Sequence, residues 1–386
     1  MDRKLRMGMV GGGPGAFIGD VHRKAARMDG QIEIVAGAFD IDPKKSKQMG
    51  KELAIDPKRV YGDVAAMIEG ELALSEEERI DFVSVCTPNH THFPIAKAFL
   101  EAGFNVMCEK PMTLSVDEAE QLKVVAQKSK KVFGLMHNYT AYPMVKLAKD
   151  MVKQGDIGKI RKVIVQYPQG WLARATEKEG SQQAAWRTDP KKSGIAGCMG
   201  DIGTHAANLA EYITGLAIKE IAADLTTFVK GRRLDDDGNC LLRLSKGAKG
   251  LLHASQVSIG QENNLAIWIH GEDGSLEWHQ EHPNWLYVDK LGEPTQIWKR
   301  GNDYIGAKSE AAGRATRLPF GHPEAFLEAF ANNYCNFADT IRAKAAKRKP
   351  TDLEKDFPGI KEGVLGMKFI EAVVASSNNN AAWTKL

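Results

Sequence analysis

Three short runs in this chain carry residue types that can move a proton or hold a charge. Lys110 stands in Glu109-Lys110-Pro111, directly after the apolar run 104–108. The proline fixes the chain just past the lysine and keeps the lysine backbone extended. With 104–108 as a parallel strand, Lys110 sits at its carboxyl end, the edge where such sheets bind ligands. The second run, Asp201-Ile202-Gly203-Thr204-His205, sets a carboxylate and an imidazole four residues apart, on one face at the start of a helix. The carboxylate can orient the ring and stabilise its charged form, and the histidine exchanges a proton near neutral pH. The competing reading makes Asp201 a helix cap and His205 an interior packing residue. Gly194, Gly197, Gly200 and Gly203 suggest a backbone that passes close to a ligand. The third run, Cys86-Thr87-Pro88-Asn89-His90-Thr91-His92, is polar and turn-prone. Thr87 and Asn89 could bond a ribose or the backbone around it, while Asn89 could equally cap the next helix.

The elements that must position these runs follow from the periodicity. Strands are expected at 5–10, 32–39, 60–61, 80–86, 104–108 and 132–136, alternating with helices at 16–28, 43–53, 63–70, 91–103 and 115–128. Ser115 and Glu118 are spaced as a capping box. Six strands alternating with helices make a doubly wound parallel sheet. Its first turn, Gly11-Gly12-Gly13-Pro14-Gly15-Ala16, contains G-x-G-x-x-A in Gly11, Gly13 and Ala16. Small residues there let backbone amides approach a pyrophosphate at a helix N-terminus. Asp40 closes the second strand, where a carboxylate can bond both ribose hydroxyls and repel a 2′-phosphate. That favours NAD over NADP, although Lys44 and Lys45 could reach a phosphate, and Asp40 could instead cap the helix before Pro43. The cofactor set is thus Gly11, Gly13, Pro14, Gly15, Ala16, Asp40, Thr87, Asn89, His92, Glu109 and Lys110.

The pattern changes after His137. A helix at 142–153 is followed by strand-like runs at 160–168, 219–229, 239–245, 249–258, 264–270, 275–279, 285–289 and 295–298, with helices at 201–214, 322–346 and 361–376. Turn signals such as Asp237-Gly238, Lys246-Gly247 and Asp273-Gly274 separate several of them. The expected divisions are 1–137, a dinucleotide-binding domain, and 138–386, an α+β domain with a large, mostly antiparallel open sheet. Such a sheet needs cover on both faces, so a homo-oligomer, dimer or tetramer, is expected through it. The loop between the 160–168 strand and the 201–214 helix holds Tyr167, Gln169, Trp171, Trp186 and Arg187, whose rings and guanidinium could shape a pocket, while the tryptophans could equally be buried at the domain junction. Asn138 and His322 are further candidates for ligand contact, and His322 before Pro323 could instead begin a helix.

Composition narrows the class. Across 386 residues the hydrophobic and charged fractions are those of an ordinary globular protein, and a formal charge of +3 argues for neither nucleic acid nor a membrane surface. Five scattered cysteines with no C-x-x-C pair suit reduced thiols and no metal site. No signal-peptide core or membrane-length apolar run is seen, and the expected location is the cytoplasm.

Taken in order and spacing, the glycine-rich turn, C-T-P-N-H-T-H, E-K-P and D-I-G-T-H resemble the Gfo/Idh/MocA oxidoreductases. The resemblance extends to Gly158-Lys159-Ile160 and to Gly321-His322-Pro323-Glu324 near the end. The turn departs from the simplest family form, since Gly15 to Gly19 adds residues before His22. The resemblance implies a Rossmann domain, a C-terminal sheet domain, and a hydride passed between nicotinamide and a sugar or cyclitol carbon. It puts Lys110 near the reacting hydroxyl and Asp201 and His205 across the substrate. His205 is then the candidate base, Asp201 its orienting group, and Lys110 the stabiliser of alkoxide charge. Two other classes fit the same residues: an NAD-dependent glycosidase that oxidises the sugar transiently, and a non-catalytic NAD or sugar sensor.

Overall fold

The structure, a computed structural model, describes residues 3–386. The chain forms two compact units. The first takes the chain up to Thr113, then Asp117–Met136 and Phe330–Val364; the second takes Leu114–Val116, His137–Ala329 and Leu365–Leu386. The division is therefore not one cut in the sequence, because the segment Phe330–Val364 belongs to the first unit.

The first unit is built on five parallel strands: β1 (Leu5–Gly11), β2 (Ile32–Ala38), β3 (Phe82–Cys86), β4 (Asn105–Cys108) and β5 (Phe133–Leu135), in the order β2-β1-β3-β4-β5. These strands are near-continuous apolar runs because both faces are covered, as parallel sheets require; Met7, Met9, Phe82, Val85 and Val106 are fully buried. The sequence predicts a sixth strand at Val60-Tyr61. The structure reduces it to one isolated parallel bridge from Val60 to Gly37. Pro57 opens a short helical turn just before it, and Asp63 caps the next helix through Ala66 N–H just after, leaving no room for a ladder. Phe337, from the returning helix Phe326–Ala345, packs edge-on against Phe82 at 5.3 Å between ring centres. The order of the strands reverses at β1, so the carboxyl ends of β1 and β3 open a crevice.

The second unit is a nine-stranded sheet. Eight strands lie close to the expected runs: β6 (Lys162–Pro168), β7 (Ile218–Thr226), β8 (Asp237–Leu244), β9 (Lys249–Ser255), β10 (Ala266–His270), β11 (Gly274–His279), β12 (Trp285–Lys290) and β13 (Gln296–Lys299). A ninth, β14 (Thr384–Lys385), pairs with β7 and was not legible in so short a run. The order is β13-β12-β11-β10-β6-β9-β8-β7-β14, and all neighbours are antiparallel except β6 and β9. Alternation along β8 buries Gly238, Cys240, Leu242 and Leu244 on one face. Trp278 of β11 is wholly buried against Tyr142, 5.3 Å away, at the start of helix Pro143–Gln154. On the outer face Leu241, Leu251 and Trp383 remain exposed. Among the described residues no helix is long and apolar enough to cross a membrane.

The expected helix over 201–214 has two parts, a π-helical turn Met199–Gly203 and an α-helix Thr204–Thr214. The wider turn is the difference from the sequence reading.

Candidate active site

In the first unit the glycine-rich turn leaves β1 with Gly11 at φ +82°, and a Cβ there would lie 2.6 Å from the Cys86 carbonyl oxygen. Only glycine permits that backbone and that approach. A Cβ on Gly13 would lie 2.9 Å from Asp40 Oδ2, so the carboxylate stands directly against the turn. Asp40 Oδ1 accepts the Asp42 N–H at 2.9 Å, and Asp42, not Asp40, caps the helix Pro43–Glu52. Pro14 is half-buried and Gly15 open to solvent. Ala16 precedes the helix Phe17–Met28, which has no side-chain cap on its N-terminus. Uncapped N–H groups at a helix start favour a phosphate, and Asp40 beside them favours a ribose diol. These residues fit NAD.

The loop after β3 is braced from inside. Thr91 Oγ donates to Thr87 Oγ1 at 2.7 Å, while Asn89 is buried and opens a short helical turn, Asn89–Thr91, instead of capping the helix His92–Glu101. His92 is wholly buried, with Nδ1 at 2.7 Å from the Pro111 carbonyl and Nε2 at 2.8 Å from the Thr87 carbonyl. It ties the loop after β3 to the loop after β4. Burial lowers its affinity for a second proton, against the two carbonyls that favour the charged ring.

Lys110 lies at the end of β4, half-buried, as its place in the sequence predicts. Glu109 beside it is turned into the core. Its Oε1 meets His22 Nε2 at 2.8 Å and its Oε2 accepts the Lys110 N–H at 3.0 Å. Burial alone would raise the Glu109 carboxyl; the hydrogen bond and charge of His22, with Lys110 and His92, hold it below the usual carboxylate range. Burial alone would lower His22; Cys86, Tyr334 and Glu109 reverse the sign and raise it well above its ordinary value. Of these, the Glu109 carboxylate is the direct anionic partner.

In the second unit His205 is buried in an aromatic and hydroxylated setting. Its Nδ1 lies 3.2 Å from Nδ1 of His137, and the two rings meet edge to face. One of these nitrogens must donate and the other accept. The Tyr139 ring stands edge-on at 4.8 Å between centres. Tyr139 and Tyr167 share a short hydroxyl–hydroxyl hydrogen bond, Tyr167 donates to Asn263 Oδ1 at 2.7 Å, and Gln169 donates to the same oxygen at 2.7 Å. Burial, then Tyr139, raises Tyr167 well above the usual phenol range. Asp201 accepts from Gln256 Nε2 at 2.9 Å and from Arg187 Nε at 3.2 Å. The Arg187 guanidinium lies 4.2 Å from the Trp186 ring centre and 5.8 Å from that of Trp171. Arg187, Trp186, Trp171 and Asp201 are thus one cluster, open to solvent at Trp171, which is 39% exposed.

Asn138 is buried, and its amide nitrogen has no hydrogen-bond partner among the described residues. An orphaned buried donor is rare and marks a place where a ligand or water bonds. His322 is exposed, with Nδ1 facing the Phe320 carbonyl of its own loop at 3.2 Å. In that motif it is Glu324 that is buried, in an ion pair with Arg300 at 2.6 Å. The glycines before His205 serve packing as well: a Cβ on Gly197 would lie 2.2 Å from the Asp235 carbonyl oxygen.

Sequence reasoning reached Tyr167 and Gln169 as residues of the loop that shapes the pocket, and missed His137, Tyr139, Gln256 and Asp235 as members of this cluster. Asp235 accepts from Gly197 N–H at 2.6 Å and Met199 N–H at 2.8 Å and so anchors the π-helical turn. Burial pushes its carboxyl up to about 6 in spite of these bonds. No local pattern marks such partners. His137 alone carried a signal, an imidazole immediately before Asn138 at the end of a predicted strand.

Two family models match this chain. The family described as "Oxidoreductase family, NAD-binding Rossmann fold" matches residues 5–137, and the "GFO/IDH/MocA C-terminal domain" matches residues 145–277. The crystal structure of an oxidoreductase from Sinorhizobium meliloti is 43% identical, with TM-score 0.89, over 99% of this chain and 100% of that one. That of an inositol dehydrogenase homolog from Azotobacter vinelandii, complexed with NADH and myo-inositol, is 35% identical with TM-score 0.91, over 100% of this chain and 98% of that one. Levoglucosan dehydrogenase of Pseudarthrobacter phenanthrenivorans is 28% identical over 309 residues, 74% of this chain and 76% of its own length.

Proposed function

Because the chain belongs to the Gfo/Idh/MocA family of NAD-binding oxidoreductases, we propose that it is a dehydrogenase or reductase of a cyclic polyol, an inositol or a pyranose or pyranoside, with Lys110 and His205 among its catalytic residues. The observation that carries this reading is the buried His137–His205 pair set among hydroxyl and amide groups. A polyol presents hydroxyls that both donate and accept, and Tyr, Asn and Gln side chains match that pattern. The likeness to an inositol dehydrogenase homolog bound to myo-inositol and to levoglucosan dehydrogenase supports the ring-polyol class.

Oxidation of a secondary alcohol removes a hydride from carbon and a proton from oxygen. NAD, held by the 11–16 turn and Asp40, supplies the hydride acceptor. The proton goes to His205. In the tautomer where His205 donates from Nδ1 to His137, its Nε2 carries the lone pair and acts as base; protonated, the ring keeps the same bond to His137. Lys110 holds the reacting oxygen and stabilises its developing negative charge. Asp201, flanked by Arg187 and Gln256, accepts from a substrate hydroxyl and favours the imidazolium. Asn138 donates its amide to the ligand. In the reductive direction the proton and hydride run back along the same path. In this reading the first unit, with Phe330–Val364 part of it, holds the cofactor, and the second unit carries the polyol-binding side chains around His205. A cytoplasmic location and self-association over the outer sheet face around Leu241, Leu251 and Trp383 belong to the same reading.

The test is NADH absorbance with NAD, and separately NADP, across inositols, free pyranoses and glycosides. NADH growth on one ring polyol is expected, and Lys110→Ala should lower kcat by about 10²–10⁴-fold while NAD affinity stays within about twofold. A Lys110→Ala variant with wild-type turnover would sink the proposal.

A further inference from the structure

We propose that His22 and Glu109 are positioning residues for Lys110, acting through a buried relay, Ser84–Tyr334–His22–Glu109, that fixes the lysine main chain at the end of β4. The role is built on the dehydrogenase reading, in which Lys110 works on the substrate oxygen.

The relay joins four places far apart in sequence. His22 comes from the helix after the glycine turn, Ser84 from β3, Glu109 from the end of β4, and Tyr334 from the returning helix Phe326–Ala345. Tyr334 Oη lies 2.6 Å from His22 Nδ1 and 2.9 Å from Ser84 Oγ. His22 Nε2 lies 2.8 Å from Glu109 Oε1, and Glu109 Oε2 takes the Lys110 N–H at 3.0 Å. All four side chains are buried. A carboxylate in such a place is costly unless both oxygens are satisfied, and replacing an ion pair by apolar residues of like volume is often neutral or stabilising. Packing alone therefore does not ask for this pair. What the pair does that leucine could not is hold the backbone N–H of Lys110.

The relay holds in either charge state of the ring. With His22 neutral, Nε2–H donates to Glu109, Nδ1 accepts from Tyr334, and Tyr334 accepts from Ser84. With His22 charged, Nδ1–H donates to Tyr334, Tyr334 donates to Ser84, and Ser84 turns to Cys86 Sγ at 3.4 Å. No group is left unsatisfied either way. The groups facing His22 are Glu109, Tyr334, Ser84 and Cys86, with the Phe330 ring edge-on at 5.2 Å; those facing Glu109 are His22, Lys110 and His92.

The experiment compares His22→Leu, His22→Gln and Tyr334→Phe in the full chain. Leucine fills the ring's volume without a donor; glutamine keeps a donor within reach of Glu109. For His22→Leu, kcat should fall about tenfold or more at unchanged KM for polyol and NAD, and His22→Gln should recover most of the loss. A packing role would favour leucine, so equal kcat in wild type and His22→Leu, or a glutamine variant as poor as leucine, overturns the proposal. If His22→Leu does not fold, Tyr334→Phe removes a single hydroxyl and should lower kcat about threefold with KM unchanged; an unchanged kcat there is equally fatal. Amide hydrogen exchange at Lys110 gives a readout free of turnover, expected about tenfold faster in His22→Leu than in His22→Gln. Faster exchange in a protein that oxidises no polyol would sink the dehydrogenase reading and leave the relay standing. Unchanged exchange would sink the relay.

Discussion

Each unit carries a polar centre around a histidine, and the two are built to opposite ends. In the first unit the Glu109–His22 pair is sealed, with ion-pair partners 2.8 Å apart and every carboxylate oxygen engaged by protein. His92 is equally enclosed between two carbonyls. In the second unit the residues around His205 are hydroxyls, amides and a second imidazole, which can turn from donor to acceptor without unpaired charge. One side of that cluster reaches solvent through Trp171 and Arg187. A sealed ion pair suits holding one geometry; an adaptable neutral network beside a titratable ring suits exchanging hydroxyls and passing a proton. The difference teaches where rigidity and where reactivity were placed.

The sharpest way to break the comparison is His205→Ala. A base in the second unit predicts a kcat loss of about 10³-fold, with NAD binding in the first unit untouched, read by fluorescence titration of NADH. His137→Phe, which removes only the Nδ1 partner, should cost about tenfold less. Equal kcat in wild type and His205→Ala would mean that the second unit's imidazoles only pack.

A smaller effect tests the sealed side. His92→Phe removes the donor between the Thr87 and Pro111 carbonyls and should cost about 1–3 kcal/mol of stability in urea titrations, with weaker NAD binding. The two buried histidines of this unit also respond oppositely to pH. His22 is raised in the folded state, so its contribution is fully present below the unfolded value of about 6.5 and is lost as pH rises through the higher folded value. His92 is lowered, so its contribution is present above about 6.5 and is lost as pH falls through the lower folded value. The Phe variant should therefore lose less stability than wild type on acidification; a parallel loss would place the brace elsewhere.

What the sequence made legible was what is local. The glycine turn, Asp40, Lys110 and the Asp201/His205 spacing are patterns within a few residues of a strand or helix end, and eight strands of the second sheet announce themselves by alternation and turn residues. The relay partners His22, Ser84, Glu109 and Tyr334 were invisible as a set, because His22 and Tyr334 are separated by 312 positions. The Val60-Tyr61 strand was misread because two β-formers between a helical turn and a helix cap look like a strand, while pairing needs a longer run. The return of Phe330–Val364 to the first unit is set by tertiary packing of Tyr334 and Phe337, which helical periodicity does not address. The Asp201–His205 spacing suggested an α-helical face; the structure puts Asp201 in a π-helical turn, and what makes that turn is a carboxylate more than thirty residues on.

That carboxylate, Asp235, gives the finest test. It spans the Gly197 and Met199 N–H groups with its two oxygens, next to a carbonyl against which only glycine fits. Its folded value of about 6 lies above the unfolded value of about 3.9. The folded state therefore holds more protons between those values, and the contribution of this group to stability is fully present below about pH 3.9 and is lost as pH rises through about 6. Asp235→Asn should flatten that fall by about 1–2 kcal/mol, measured as urea midpoints from acid to neutral pH. It also exchanges one acceptor oxygen for a donor that cannot bond the second N–H, so the turn loosens, and with it the placing of Asp201. The expected signature is a flatter stability curve together with a kcat lowered about threefold at unchanged NAD affinity. A flatter curve with unaltered kcat would show that the turn tolerates loosening and that His205 is held by the aromatic cluster alone. That would move the source of rigidity in the second unit from its backbone to its rings.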